Sequence, residues 1–213
     1  MDLVIEKIYK GVISGSVPDT EGAVQEALDA DLAPELVLNQ GLISAMDEVG
    51  QRFEAGEYFV PEMLIAGRAM KAGIEKLRPL LAASGIKPLG KAVIGTVKGD
   101  LHDIGKNLVG LMLEGAGFEV IDAGADVTPE AFLEAVKTQS PDIVGMSALL
   151  TTTMTGASDV IKLLEESGLR DSVKVMFGGA PVTQEYVDQI GGDGYAPDAA
   201  SAAKKAKELC GIQ

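Results

Sequence analysis

Ala92-Val93-Ile94-Gly95-Thr96-Val97 is an apolar run rich in β-formers, and it leads through Lys98-Gly99-Asp100-Leu101-His102-Asp103-Ile104-Gly105 into a helical pattern over 106–115. Strand, loop and helix in that order make one βα unit. Four more follow. Strands are expected at 118–123, 143–147, 173–177 and, weakly, 194–195, with helices at 129–138, 154–167, 183–190 and 199–209 between and after them. Strands alternating with helices imply a parallel sheet covered on both faces. Five such units suit the flavodoxin-like (Rossmann-like) strand order 2-1-3-4-5, in which the loops after the first and third strands flank one crevice. A ligand is expected there.

Upstream of this block the pattern changes. From the start to about residue 83 apolar residues recur at helical spacing. Helices are expected near 2–14 and 18–30, in a segment entered at Pro34 with Leu42, Met46, Val49 and Phe53 on one face, and in a segment entered at Pro61 with Met63, Ala66, Met70, Ile74, Leu77 and Leu81 on one face. These make a small four-helix bundle. Ser84-Gly85-Ile86-Lys87-Pro88-Leu89-Gly90 breaks the periodicity and reads as a connection. The expected division is a helical domain over 1–83, a linker over 84–90 and an α/β domain over 91–213.

Composition narrows the function. The 213 residues are 46% hydrophobic and 23% charged, ordinary values for a globular chain. A net charge of −14 repels phosphate backbones and anionic lipid, which argues against nucleic acid and membrane as partners. No stretch reads as a membrane span, and the first residues lack a basic segment followed by an apolar run, so a cytoplasmic location is expected. The single Cys210 forms no internal disulfide and no cysteine-based zinc site.

The chain's one histidine, His102, lies in the loop after the first strand. Gly99 and Gly105-Lys106 approximate a phosphate-binding loop, but five residues intervene instead of four and Asn107 replaces the magnesium-binding hydroxyl. Gly145-Met146-Ser147 is half of a nucleophile elbow, yet Leu149 stands where the second glycine is needed. A metal ligand is the third reading. A ligating imidazole typically donates its other ring N–H to a carboxylate, and Asp100 is two residues away. One protein ligand cannot build a zinc site, but it suffices where a macrocycle supplies the rest. A plain alternative is an imidazole satisfied by Asp103 or by water.

Three pieces then decide between these. Asp100-Leu101-His102-Asp103-Ile104-Gly105 is followed after 41 residues by Ser147-Ala148-Leu149, and after 28 more by Gly178-Gly179. In order and spacing they resemble the signature of the methionine-synthase-like cobalamin-binding modules, especially the small corrinoid proteins of methyltransferase systems. The likeness extends to Phe53-Glu54-Ala55-Gly56-Glu57-Tyr58-Phe59-Val60-Pro61-Glu62-Met63, which is similar to the segment that caps the cofactor.

The resemblance implies cobalamin or a related corrinoid, with His102 as the lower axial ligand to cobalt and the nucleotide tail in a slot between sheet and helices. Asp100, Asp103, Ile104, Gly105, Ser147, Leu149, Thr151, Thr153, Gly178 and Gly179 are the expected contacts below the ring, and Phe53, Val60 and Met63 those above it. Thr153 stands where methionine synthase has a further serine in its ligand, carboxylate and hydroxyl relay. Capping of the following helix by Thr151 or Thr152 is the structural alternative for those hydroxyls.

The implied role is a methyl carrier, not catalytic alone, serving a substrate-specific methyltransferase. A second methyltransferase would pass the methyl group to tetrahydrofolate, tetrahydromethanopterin or a thiol, and a reductive activator would serve the corrinoid. An adenosylcobalamin-dependent mutase subunit and a cobalamin-sensing regulatory module are the alternatives. Phosphoryl-accepting receivers share the fold, but Ser147-Ala148-Leu149 supplies no acid at the end of the third strand.

Overall fold

The computed structural model describes residues 3–85 and 87–212. Ile86 of the expected connection, and Met1, Asp2 and Gln213 at the ends of the two expected domains, lie outside the described residues. Contacts divide the chain into two compact units, one running to Pro88 and including Glu114–Gly117, the other holding Leu89–Leu113 and the rest from Phe118.

The helical unit contains α1 (Leu3–Ile13), α2 (Val17–Asp29), a continuous helical path α3 over 34–54, and α4 (Val60–Ala83). Helix α2 is started by Ser16, whose hydroxyl accepts from the Asp19 N–H, and by a proline in its first turn. Its close packing on α1 uses Gly11, where a Cβ would come within 2.7 Å of the Thr20 hydroxyl. The sequence suggests one regular period through α3, but Val37–Ile43 is π-helical. The wider turn changes the register there and still buries Val37 and Leu42 together with Met46 and Val49 further on.

The second unit is a five-stranded parallel sheet in the order β2-β1-β3-β4-β5. Its strands are β1 (Lys91–Thr96), β2 (Glu119–Asp122), β3 (Ile143–Ser147), β4 (Lys174–Gly178) and β5 (Gly194–Tyr195). Helices α5 (Ile104–Gly115), α6 (Pro129–Gln139), α7 (Gly156–Glu166), α8 (Gln184–Ile190) and α9 (Ala199–Leu209) follow them in turn. This is the flavodoxin-like architecture that the alternating pattern implies. Capping chemistry sets several helix starts. Thr128, Thr183 and Asp198 accept from the backbone N–H three residues on at α6, α8 and α9.

Thr151 and Thr152 do not cap α7. The helix begins later, at Gly156, with Thr155 as its flanking residue and no side-chain cap. Residues 151–155 form turns instead. Helix α5 begins earlier than the sequence suggests, at Ile104, so Gly105 lies inside its first turn.

Central strands β1 and β3 are mostly buried, and one side of the sheet packs Val93, Val144, Phe177 and Phe132 with α6 and α7. The Phe132 ring lies against the β1 backbone, since a Cβ on Gly95 would come within 2.7 Å of it. Phe132→Ala should therefore destabilise the sheet unit by about 3–5 kcal/mol. Urea unfolding measures this, and a loss below about 1 kcal/mol would show that the ring is not a core anchor.

Candidate functional site

Register puts two of the expected site positions, Ser147 and Gly178, in one row with Thr96. Thr96 pairs with Ser147, and Ser147 with Gly178, at the carboxyl ends of β1, β3 and β4. The loops leaving β1 and β3 rise from that row. The first carries Asp100 and His102, the second Leu149, Thr151 and Thr153.

Asp100 joins the two loops, and its side chain is fully buried. Oδ1 accepts from the His102 backbone N–H at 3.0 Å and faces His102 Nδ1 at 2.8 Å. Oδ2 accepts from the Leu149 N–H at 2.8 Å and from the Thr153 hydroxyl at 2.7 Å. Burial pushes this carboxyl upward, but the hydrogen bonds from Thr153, the backbone of His102 and Leu149, and the imidazole together outweigh it and hold the group well below the ordinary carboxylate range. Asp100 is therefore ionised and accepts only, so Nδ1 is the donor. In the neutral ring the lone pair then lies on Nε2.

The His102 side chain is 53% exposed, and Nε2 has no hydrogen-bond partner among the described residues. Leu101 and Ile104 beside it are 75% and 74% exposed, an unusual display of apolar surface around a polar tip. Asp103 does not serve the imidazole. Its carboxylate accepts from the Asn107 side chain at 3.1 Å, one turn along α5.

The loop is held from outside as well. Gly99 adopts φ 83°, and its N–H donates to Asp126 Oδ1 at 2.7 Å. The Asp126 N–H in turn donates to the Asp100 carbonyl at 3.0 Å, with Asp126 itself in the left-handed region at φ 56°. A non-glycine residue there is strained, though aspartate tolerates it better than most. Lys106 is almost entirely buried, with Nζ 2.5 Å from Asp122 Oδ1 at the end of β2. That pairing removes the lysine a phosphate loop would need.

The remaining expected residues differ in setting. A Cβ on Gly105 would meet nothing within 4 Å, so the first turn of α5 is open there. At Gly178 a Cβ would lie 3.0 Å from the Ala196 carbonyl, and at Gly179, where φ is +130°, it would lie 1.9 Å from the Ala148 carbonyl. Glycine at 179 is thus required by the chain's own backbone. Leu149 is 44% exposed, while its N–H serves Asp100. Thr151 is exposed on the turn after β3. In the helical unit Met63 is fully buried and Phe53 and Val60 are half-buried, whereas neighbouring Phe59 is exposed.

Three groups lie outside the sequence motifs: Thr96, Asp126 and the Leu149 N–H. Thr96 is a polar residue in an otherwise apolar strand, and that was the one available signal. Among the described residues no group of three or more His, Cys, Asp or Glu side chains is placed to hold a metal ion, and no helix is long and apolar enough to cross a membrane.

An imidazole held in one tautomer, open at Nε2 and flanked by the exposed side chains of Leu101 and Ile104 at a switch point has the chemistry to offer one nitrogen to a metal. Comparison with known proteins gives the family. Residues 90–204 match the B12 binding domain, and residues 4–78 match a second family described by the same words. A dimethylamine corrinoid protein of Methanosarcina barkeri is 51% identical over 208 residues, covering 97% of each chain. Dimethylamine corrinoid protein 1 of Methanosarcina acetivorans is 47% identical, again over 97% of each. Among solved structures, the methanol:cobalamin methyltransferase complex of Methanosarcina barkeri matches all of this chain and 81% of its own, with a TM-score of 0.89 and 32% identity. The monomethylamine corrinoid protein of the same organism matches 97% of this chain and 98% of its own, with a TM-score of 0.55 and 39% identity. The chain belongs to the B12-binding corrinoid proteins of methylamine and methanol methyltransferase systems, and it is a corrinoid-binding methyl carrier.

Asp100→Asn places an amide nitrogen where two donors already converge on an oxygen. The cofactor-free protein should lose about 1–3 kcal/mol of stability. Denaturant melting reads this directly, and an unchanged midpoint and slope would mean that the four bonds to Asp100 contribute nothing to the fold.

Proposed function

We propose that this chain takes a methyl group from a dimethylamine-specific methyltransferase and delivers it to a second methyltransferase. That enzyme passes the group to tetrahydrofolate, tetrahydromethanopterin or a thiol. A reductive activator returns the corrinoid to its reactive state, and all of this takes place in the cytoplasm. The observation that carries the carrier reading is the bare Nε2 of His102 above a fully bonded Asp100 carboxylate. Dimethylamine as donor is supported by the names of full-length relatives near half identity.

When bound, the corrinoid supplies a cobalt centre that takes up and releases a methyl group; the chain supplies everything else. His102 would hold the metal through Nε2. Asp100 fixes its tautomer and direction, and Thr153 and the Leu149 N–H fix Asp100. The threonine methyl at 153 does not spoil this relay, since its hydroxyl lies 2.7 Å from the carboxylate. Leu101 and Ile104 offer apolar surface to the ring edge and exclude water, with Asp103 at the foot of α5. Gly105 leaves the first turn of α5 open, where the tail would pass; Ser147 would meet the tail base, Leu149 would pack beside it, Thr151 would offer a hydroxyl from the turn after β3, and Gly178 and Gly179 would form the far wall. Phe53, Val60 and Met63 are proposed as the helical domain's shield for the upper ligand. The division into a helical domain over 1–83, a connection over 84–90 and a corrinoid domain over 91–213 belongs to the same reading and is supported by the two family matches.

The donor is tested by loading the protein with hydroxocobalamin, reducing it, and following methylation by absorbance with methyltransferases specific for dimethylamine, monomethylamine or methanol. Methylation with the dimethylamine enzyme should be fastest by an order of magnitude or more; a faster reaction with either other enzyme overturns the assignment. Ligation has its own test. His102→Ala should retain some corrinoid yet lose nitrogen coupling in the electron paramagnetic resonance of the cobalt(II) state, and a retained coupling removes His102 from the metal. Gly105→Val tests the slot better than a change at Gly178, which already faces the Ala196 carbonyl. The valine should weaken complete cobalamin far more than tail-less cobinamide. Equal losses would mean that the tail does not pass α5.

A further inference from the structure

The buried hydroxyl of Thr96 has no part in the relay described above. Its residue is 0% exposed at the last position of β1. Thr96 Oγ1 lies 3.1 Å from the His102 carbonyl oxygen and 2.9 Å from Ser147 Oγ. We infer that Thr96 is a positioning residue that couples the tail slot at Ser147 to the backbone of the axial-ligand loop at His102.

The argument is one of counting protons. A carbonyl has none to give, so the Thr96–His102 bond exists only when the threonine donates its single hydroxyl proton. Thr96 must then accept from Ser147, and the Ser147 proton points inward. The serine presents only lone pairs to whatever fills the slot. A tail base with an unprotonated ring nitrogen wants the opposite polarity, because it needs the Ser147 proton pointing outward. Ser147 is then left to accept from Thr96, in competition with the His102 carbonyl. No solvent reaches Thr96 to relieve that competition, and the His102 carbonyl left without this donor loses a hydrogen bond. Filling the slot and holding the ligand loop therefore draw on one proton.

Among the described residues no other side chain makes this connection. Asp100 grips the imidazole and the two loops but does not touch Ser147, and Asp126 grips Gly99 and the Asp100 carbonyl. Among the described residues Thr96 alone contacts both the slot residue and the ligand residue. Sheet register makes this possible, since Thr96 and Ser147 are direct neighbours in the β1–β3 pair.

The inference rests on the reading that the tail lies against Ser147, and the test separates the two. The full-length protein, Thr96→Val and Thr96→Ser are each loaded with cobalamin or with cobinamide. Two quantities are measured: the affinity for each corrinoid, and the fraction of bound cobalt(II) that shows nitrogen coupling to His102. The second is normalised to bound cofactor, so unfolded chains do not enter it. Valine matches threonine in shape and lacks the hydroxyl; serine restores it. In the unaltered protein cobalamin should bind more tightly than cobinamide, and equal affinities would defeat the tail reading itself. Given that preference, the cobalamin-to-cobinamide ratio of His-coordinated fractions should change by about threefold or more in Thr96→Val, as expected for groups in one hydrogen-bond network. Thr96→Ser should keep the original ratio. A ratio unchanged by valine, or changed equally by serine, overturns the coupling even if the tail preference stands. Should Thr96→Val fail to load, Ser147→Ala, which cuts the same chain at its other end, must shift the ratio in the same way or the inference falls.

Discussion

Everything at this site depends on a buried carboxylate that is fully occupied. Asp100 accepts four hydrogen bonds, two from its own loop and two from the loop after β3. A buried anion without such partners would be very costly, and removing any one donor leaves charge uncompensated. Because the carboxylate stays ionised it dictates which ring nitrogen of His102 carries the proton, and hence which one keeps its lone pair. The imidazole is thus oriented by the fold itself.

That arrangement is possible only because of the strand order. Strands consecutive in the chain would place the loops of β1 and β2 together. The reversal puts β3 beside β1, so residues near 100 and near 150 meet across one pairing. The bridge between Val97 and Val127 and the grip of Asp126 on Gly99 then close the loop from the β2 side. The histidine-bearing segment is held from both neighbours, and its exposed apolar residues, Leu101 and Ile104, are carried by a fixed backbone.

Much of this is legible in the sequence. The alternation of periods suggests the sheet order and the crevice flanked by the loops after β1 and β3, and the spacing of Asp100, His102, Ser147 and Gly178 carries the family resemblance. What is not legible is carried by the backbone or by commonplace residues. The Leu149 N–H has no residue identity, so the motif suggests only apolar packing for that position. Thr96 is a β-former in a strand, and its burial between two polar partners appears only when the register is known. Gly179 looks like a concession to a ligand, but Ala148 already demands it. The π-helical stretch in α3 leaves the apolar spacing close enough to a normal helix to pass unnoticed. Thr151 and Thr152 look like caps because composition cannot say that the helix waits until Gly156.

Two of the donors to Asp100 come from residues 149 and 153, far along the chain from the histidine they steady. The Asp-x-His loop is therefore not a portable cassette. Grafted alone onto another scaffold it would bring the imidazole and the carboxylate but only half of the carboxylate's donors, and the anion would turn to water or to a stray cation. The smallest transferable piece runs from the start of β1 through the turn after β3, two crossovers and three strands together. Evolution and design alike must move this ligand as a supersecondary unit, and the single histidine is only its visible tip.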